Sequence, residues 1–339
     1  MLLNFITWNV DPVLFHLGPL AVRWYGLLWA IGIYATLIIT QKLYKHENLN
    51  LEWVDKLFIY TVVGTILGAR LGHCLFYEWD YYSANPIKIL YIWQGGLASH
   101  GGAIGIVVAM YFFNRNVSKK GYIWIFDRLV IGVAICGAAI RLGNLMNSEI
   151  YGNATTVPWA FEFIRDSIIN RDPMAIYSTL AKSGIIANNM IDKLPQAIGH
   201  LSEYSRITFG EMEDLLIQGH FIKSNQAGEL ANILISNKLM IKTASHPTQI
   251  YEILYCLLTF VVTWFLYWKK EAYKKNGLIF GVFLIGIFGS RFLLEFIKLN
   301  QVDFESSMFL NMGQILSLPF IAWGIWLIIN SNKKTAAKA

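Results

Sequence analysis

Apolar residues dominate seven stretches of the chain, at about 20–40, 57–78, 87–113, 122–141, 247–267, 277–297 and 309–330. Within each stretch they run nearly unbroken, without the three-and-four spacing of an amphipathic helix on a soluble core. About 20 such residues are what an α-helix needs to cross ~30 Å of hydrocarbon. The pattern predicts an all-α polytopic membrane protein of about seven transmembrane helices. The third stretch is irregular. Pro86 to Trp93 is apolar, Gln94-Gly95-Gly96 interrupts, and Ser99-His100-Gly101-Gly102 precedes Ala103 to Phe113. Non-helical backbone survives at membrane depth only against protein or a watery cavity, so this break is a first hint of a site.

The long polar stretch 142–245 is expected to form an extracytoplasmic head between spans four and five. It is read as an insertion in one membrane-embedded catalytic domain covering 1–339. Segments such as Ala197 to Leu216 suit short helices, and the stretch carries no metal or nucleophile motif of its own. Met1 to Leu20 has no charged segment ahead of an apolar run, so membrane insertion is expected to rely on the first span.

Charge sharpens this picture. Only 15% of residues are charged, against 55% hydrophobic; a soluble domain carries roughly 25% charged residues. One set of flanks holds thirteen Lys and Arg residues, among them Lys42, Lys45, Arg115, Lys119, Lys120, Lys269 and Lys270. The opposite set holds three, Arg23, Lys88 and Lys298. By the positive-inside rule the N-terminus lies outside and the C-terminus in the cytoplasm. The net charge of +6 forms no basic stripe interleaved with aromatics, so nucleic acid is not an expected partner. Cys74, Cys136 and Cys256 all lie in apolar runs and read as small buried hydrophobes. No ligand cluster suggests a metal, and no cofactor is expected.

Ionisable residues inside spans are costly and point to function. At a 1.5 Å rise per residue, Arg70 lies about 20 Å from the inner end of its span, and Arg291 and Glu295 roughly 21 and 27 Å. Arg141 ends span four on the outer side, while Tyr25, His100 and Glu252 lie near outer span ends. Asp127 is the exception, at an inner end, and the inner half is otherwise nearly bare. Together these residues imply an arginine-rich cavity open to the outer leaflet, suited to an anionic phospholipid head group. Each also has a structural reading. Arg291 and Glu295, spaced i,i+4, suit an ion pair; Arg70 suits a pair with Glu295 or Glu78; Arg141 suits snorkelling to the interface. His100 suits packing, and Tyr25 suits the aromatic belt.

The run Gly137-Ala138-Ala139-Ile140-Arg141-Leu142-Gly143-Asn144-Leu145-Met146-Asn147-Ser148-Glu149-Ile150-Tyr151-Gly152 resembles the signature of the prolipoprotein diacylglyceryl transferases. Trp24-Tyr25-Gly26, Gly68-Ala69-Arg70-Leu71-Gly72 and the block Trp93 to Gly102 match in family order. So do His246-Pro247-Thr248-Gln249-Ile250-Tyr251-Glu252, Arg291 to Phe296, and Met312 to Ser317. The chain departs from the family pattern at Ile140 and Ser148, where the family usually or often has glycine, and in a longer head from about 165 to 243.

The resemblance implies a multi-pass enzyme of the bacterial inner membrane with its site toward the outer leaflet. Its implied partners are the bilayer, phosphatidylglycerol as donor, and the lipobox cysteine of a prolipoprotein signal peptide as acceptor. It further implies Arg141 and Arg291 at the phosphate and His100 as the base for the thiol. Glu295 orients Arg291 or is itself the base, and that choice stays open. Tyr25, Arg70, Asn144, Asn147, Glu149 and Gly152 are implied as substrate contacts. A lipid transporter is the rival reading; it predicts polar residues through the full depth of the membrane and often a repeated half.

Overall fold

Unbroken apolar runs satisfy their backbone internally only as helices, and helices dominate the computed structural model, which describes residues 5–17, 20–91, 96, 98–169, 172–199, 207–298 and 308–336. In chain order the helices are α1 (Trp24–His46), α2 (Glu52–Phe76), α3 (Trp79–Ala84), α4 (Ser99–Phe113), α5 (Tyr122–Met146), α6 (Pro173–Ser183) and α7 (Asn188–Ile191). They continue as α8 (Leu194–Ile198), α9 (Phe209–Gln218), α10 (Ala227–Ser236), α11 (Thr248–Lys269), α12 (Leu278–Leu284), α13 (Ser290–Leu294) and α14 (Met312–Ala336). Among the described residues, six helical stretches are long and apolar enough to cross a membrane: Trp24–His46, Glu52–Phe76, Tyr122–Met146, Thr248–Lys269, Leu278–Ile297 and Met312–Ser331. The protein is a multi-pass membrane protein.

The remaining expected span, 87–113, is not one helix. A 3-10 turn covers Pro86–Leu90, and α4 starts only at Ser99, running on into a π-turn at Asn114–Ser118. Pro86 occupies the first turn of that 3-10 segment, a position where its missing N–H costs nothing; the interruption at Gln94-Gly95 lies outside the described residues.

The chain divides into two compact units. The helical unit comprises Trp29–Ala139, Leu254–Phe292 and Gly313–Ala339. Its tightest joint is the crossing of α2 and α4. A Cβ on Gly105 would stand 2.0 Å from the Gly64 carbonyl oxygen, and one on Gly101 2.3 Å from that of Gly68. Small residues spaced by four let backbones touch where lipid supplies no hydrophobic drive. One buried cluster joins Leu43, Val130, Ile131, Tyr267, Phe280 and Leu327, and a second joins Tyr44, Val54, Met110, Phe113 and Ile125.

The expected bareness of the lysine-rich side of the spans needs correction. Where α1 and α11 end and α5 begins, Arg128 is 2% exposed and donates to Glu47 at 3.1 and 2.7 Å and to the Tyr273 carbonyl at 3.1 Å. The Asp127 carboxylate accepts from the Gly277 and Phe280 amides at 2.6 and 2.8 Å, capping the orphan donors at the start of α12. Both charges have structural partners, so they mark no transport path.

The head-bearing unit comprises Met1–Leu28, Ile140–Ile253 and Leu293–Met312. It holds short strands that the apolar pattern does not predict: β1 (Ile6–Trp8), β2 (Val13–Leu17), β3 (Leu20–Arg23), β4 (Phe161–Phe163), β5 (Ile168–Ile169), β6 (Met240–Ile241) and β7 (Ala244–Ser245). β4 is central to a three-stranded sheet, parallel to β1 and antiparallel to β7. β5 pairs antiparallel with β6, Ile168 facing Ile241. Between them α6 to α10 enclose a core of their own, including Ile176, Leu180, Leu194, Phe209, Met212, Leu216, Leu230 and Leu234. Asp172 caps α6 ahead of Pro173, and Thr208 with Glu211 forms a capping box on α9. The expected short helices of 197–216 are present as the end of α8 and most of α9; residues 200–206 lie outside the described residues.

Candidate active site

Seven of the ten expected site residues fall in the head-bearing unit: Tyr25, Arg141, Asn144, Asn147, Glu149, Gly152 and Glu295. They gather because the last turns of α5 and the bend after it are clamped from three sides. The Trp8 indole donates to the Leu145 carbonyl at 2.9 Å. The Tyr25 ring packs so closely on α5 that a Cβ on Gly143 would meet its Cδ2 at 2.9 Å. From the first turn of α11, Thr248 donates to the Ile150 carbonyl at 2.8 Å and Gln249 to that of Glu149 at 2.7 Å. These ties hold Ser148 at φ 57° and Ile150 at φ 61°, left-handed conformations that side chains resist, a β-branched one most of all. Strain of that kind persists only where surroundings over-determine it.

Along this bend the polar side chains form a relay. Arg141 Nη1 donates to Asn144 Oδ1 at 3.2 Å, and Asn144 Nδ2 donates to Glu149 Oε1 at 2.8 Å. Asn147 Nδ2 also donates to Glu149 Oε1, at 3.3 Å, and its own Oδ1 is buried with no hydrogen-bond donor among the described residues. Arg141 Nε stands 3.0 Å from Glu252 Oε2, in ion-pair contact but off the hydrogen-bond line. Its Nη2 has no partner among the described residues of the unit. The guanidinium is thus held along one side, with donors to spare.

Glu252 is fully buried and gives its other oxygen to Lys298 Nζ at 2.7 Å. Lys298 was read from sequence only as a flank charge. Its Nζ also lies 3.8 Å from Glu295 Oε2. The α-helical ladder ends at Leu294, and Glu295 opens a 3-10 turn to Ile297. The Glu295 carboxylate lies beside the Lys298 ammonium, and its Oε2 accepts no hydrogen bond among the described residues. Gly152 is buried and pairs as an antiparallel bridge with Lys298; a Cβ there would meet the Ile297 carbonyl oxygen at 2.4 Å. Its N–H is occupied by the His246 carbonyl at 2.8 Å, so it serves close packing.

Arg70, His100 and Arg291 belong to the helical unit. Arg70, expected to bind substrate, is 2% exposed, and its guanidinium donates to the carbonyls of Ile89, Gly96 and Lys88 at 2.8, 3.2 and 2.6 Å. It lies over the Tyr82 ring at 4.9 Å. These bonds tie down the chain leading to α4 and so hold His100 near the end of α2; they differ from the ion pair considered in the sequence, since Glu78 lies 3.6 Å from His73. His100 is exposed at the start of α4, and its Nε2 meets the Tyr77 hydroxyl at 2.7 Å. Tyr77 in turn stacks on both His73 and His100. Arg291 follows a π-turn at Ile285–Gly289, a distortion frequent at functional sites. Among the described residues its buried Nε has no acceptor, and within its unit it has no carboxylate partner.

The sequence reading missed Lys298, Gln249 and Tyr77. Gln249 sits in a motif noticed for other reasons. Lys298 left one signal, a lone lysine three residues beyond an intramembrane glutamate. Among the described residues no group of His, Cys, Asp and Glu is suited to hold a metal ion.

The family model for prolipoprotein diacylglyceryl transferase matches residues 12–330. Three similar relatives are each called phosphatidylglycerol–prolipoprotein diacylglyceryl transferase. The protein from Porphyromonas gingivalis is 42% identical over 97% of this chain and 95% of its own length. That from Chloroherpeton thalassium is 34% identical, covering 98% and 96%. That from Tolumonas auensis is 35% identical, covering 97% and 98%.

Proposed function

The chain belongs to the prolipoprotein diacylglyceryl transferase family, and from that premise we propose that it moves the diacylglyceryl group of phosphatidylglycerol onto the lipobox cysteine of prolipoproteins. Sulfur forms a bond to the glycerol carbon, the carbon–oxygen bond to phosphate breaks, and glycerol phosphate leaves with the electron pair. The thiol proton passes to a base. A thiol of pKa ~8.5 is mostly protonated at neutral pH, so that base matters. His100 is the better candidate, because its imidazole is exposed, whereas the Glu295 carboxylate is buried with the Lys298 ammonium 3.8 Å from its Oε2. The site opens to the outer leaflet of the inner membrane, with the N-terminus outside and the C-terminus in the cytoplasm. The thirteen-to-three bias of flanking basic residues supports that orientation.

One observation carries the phosphate chemistry: the Arg141 guanidinium is held by an ion pair at Nε and a hydrogen bond at Nη1, while Nη2 has no partner among the described residues of its unit. A cation fixed on one side and open on the other is prepared to stabilise charge on a leaving phosphate without reorganising. Arg291, whose buried Nε has no acceptor among the described residues, is the second phosphate ligand. Asn147 Oδ1, also without a donor among the described residues, accepts from a hydroxyl of the glycerol head. Arg70 and Gly152 act by holding backbone, not by touching lipid.

The test uses purified protein, labelled phosphatidylglycerol and a lipobox peptide, with a thioether product as readout. Arg141→Ala is expected to lower kcat/KM by about 10²–10³. Wild-type turnover by that variant sinks the phosphate assignment, and an inactive wild type sinks the reaction.

A further inference from the structure

Arg141 faces an electrostatic difficulty. The carboxylate that anchors it, Glu252, is 0% exposed and 3.0 Å from its Nε. A buried anion at that distance cancels most of the positive charge that a phosphate would meet. Lys298 relieves this. Its side chain is 7% exposed, and its ammonium bonds the opposite oxygen of Glu252 at 2.7 Å. The same residue's backbone bridges Gly152, and the neighbouring Ile297 carbonyl accepts from the Asn153 amide at 2.8 Å, so the lysine is fixed against the signature bend.

We propose that Lys298 is a positioning residue for the transfer, the counter-ion that neutralises Glu252 so that Arg141 keeps its charge for the phosphate of the lipid donor. The idea rests on the phosphate role of Arg141. Lys298 itself touches no lipid. Removing it leaves Glu252 to pair with Arg141 alone, which weakens donor binding. Removing the buried anion as well returns the charge of Arg141.

The experiment measures kcat and KM for phosphatidylglycerol with full-length protein in detergent, alongside thermal unfolding. Lys298→Met is expected to raise KM about tenfold, with a smaller change in kcat. Lys298→Arg keeps the cation and is expected to stay near wild type, which guards against a mere folding defect. The decisive variant is Lys298→Met with Glu252→Gln, expected to recover most of the lost affinity. A residue with a merely structural role makes the second substitution worse, because more of the network is lost. The proposal is overturned if Lys298→Met leaves KM unchanged, or if the double variant binds no better than the single one. Arg141→Ala run in parallel separates the two claims. If it leaves KM and kcat unchanged, the phosphate reading falls and takes this proposal with it. If only the Lys298 variants disagree, the phosphate reading stands alone.

Discussion

Ser148 sits at φ 57° with its hydroxyl oxygen buried and without a hydrogen-bond partner among the described residues. Both features cost stability: a non-glycine residue in the left-handed region costs roughly 1–2 kcal/mol, and an unsatisfied hydroxyl adds to it. Glycine relieves both, against its greater freedom in the unfolded chain. Ser148→Gly is expected to stabilise the protein by about 1 kcal/mol, read as a higher unfolding temperature in detergent, with activity kept. A lower unfolding temperature would mean that the serine supports the bend in another way. At this scale much was legible. Arg141, Asn144, Asn147 and Glu149 belong to one short motif, and the structure joins them in one hydrogen-bonded relay. What stayed hidden were the partners distant in sequence. Lys298 meets Glu252 across 46 residues, and nothing in the local run around either residue announces the other.

The crossing of α2 and α4 depends on which glycine face is turned inward. Gly101 and Gly102 are neighbours, yet a Cβ on Gly101 would stand 2.3 Å from a backbone oxygen, while one on Gly102 finds nothing nearer than 3.6 Å. Gly105, one turn on, is tighter still at 2.0 Å. Gly105→Ala is therefore expected to cost about 2–3 kcal/mol through helix separation, and Gly102→Ala less than ~0.5 kcal/mol, both read by thermal unfolding. Equal effects would show that the contact is not what holds the pair. Elements with long apolar runs were legible, and the six long spans lie where those runs lie. The short strands were not, because two to five residues held by distant pairing carry no periodicity. The third expected span broke into a 3-10 turn and a later helix start, the kind of departure that glycine and proline make visible in kind but not in detail.

On the scale of the whole molecule, the sequence marked 142–245 as an insertion but gave no account of how it is built. The structure gives its inner part, from α6 to α10, a hydrophobic core of its own, closed at the base by the β5–β6 ribbon. Ile169 faces Met240 there, so the intervening chain leaves and returns side by side. Replacing residues 170–239 by Asn-Gly turns the ribbon into a two-residue hairpin. The shortened chain is expected to insert and to lipidate a peptide with kcat/KM within about threefold of the full protein. Loss of all activity in a folded variant would give the head a part in the reaction. The ribbon also has an evolutionary meaning. Two strands about 5 Å apart make a port at which any module with adjacent termini can be exchanged, at little cost in loop closure. Selection can then replace that module in one lineage after another, while the strained bend and its arginine stay untouched.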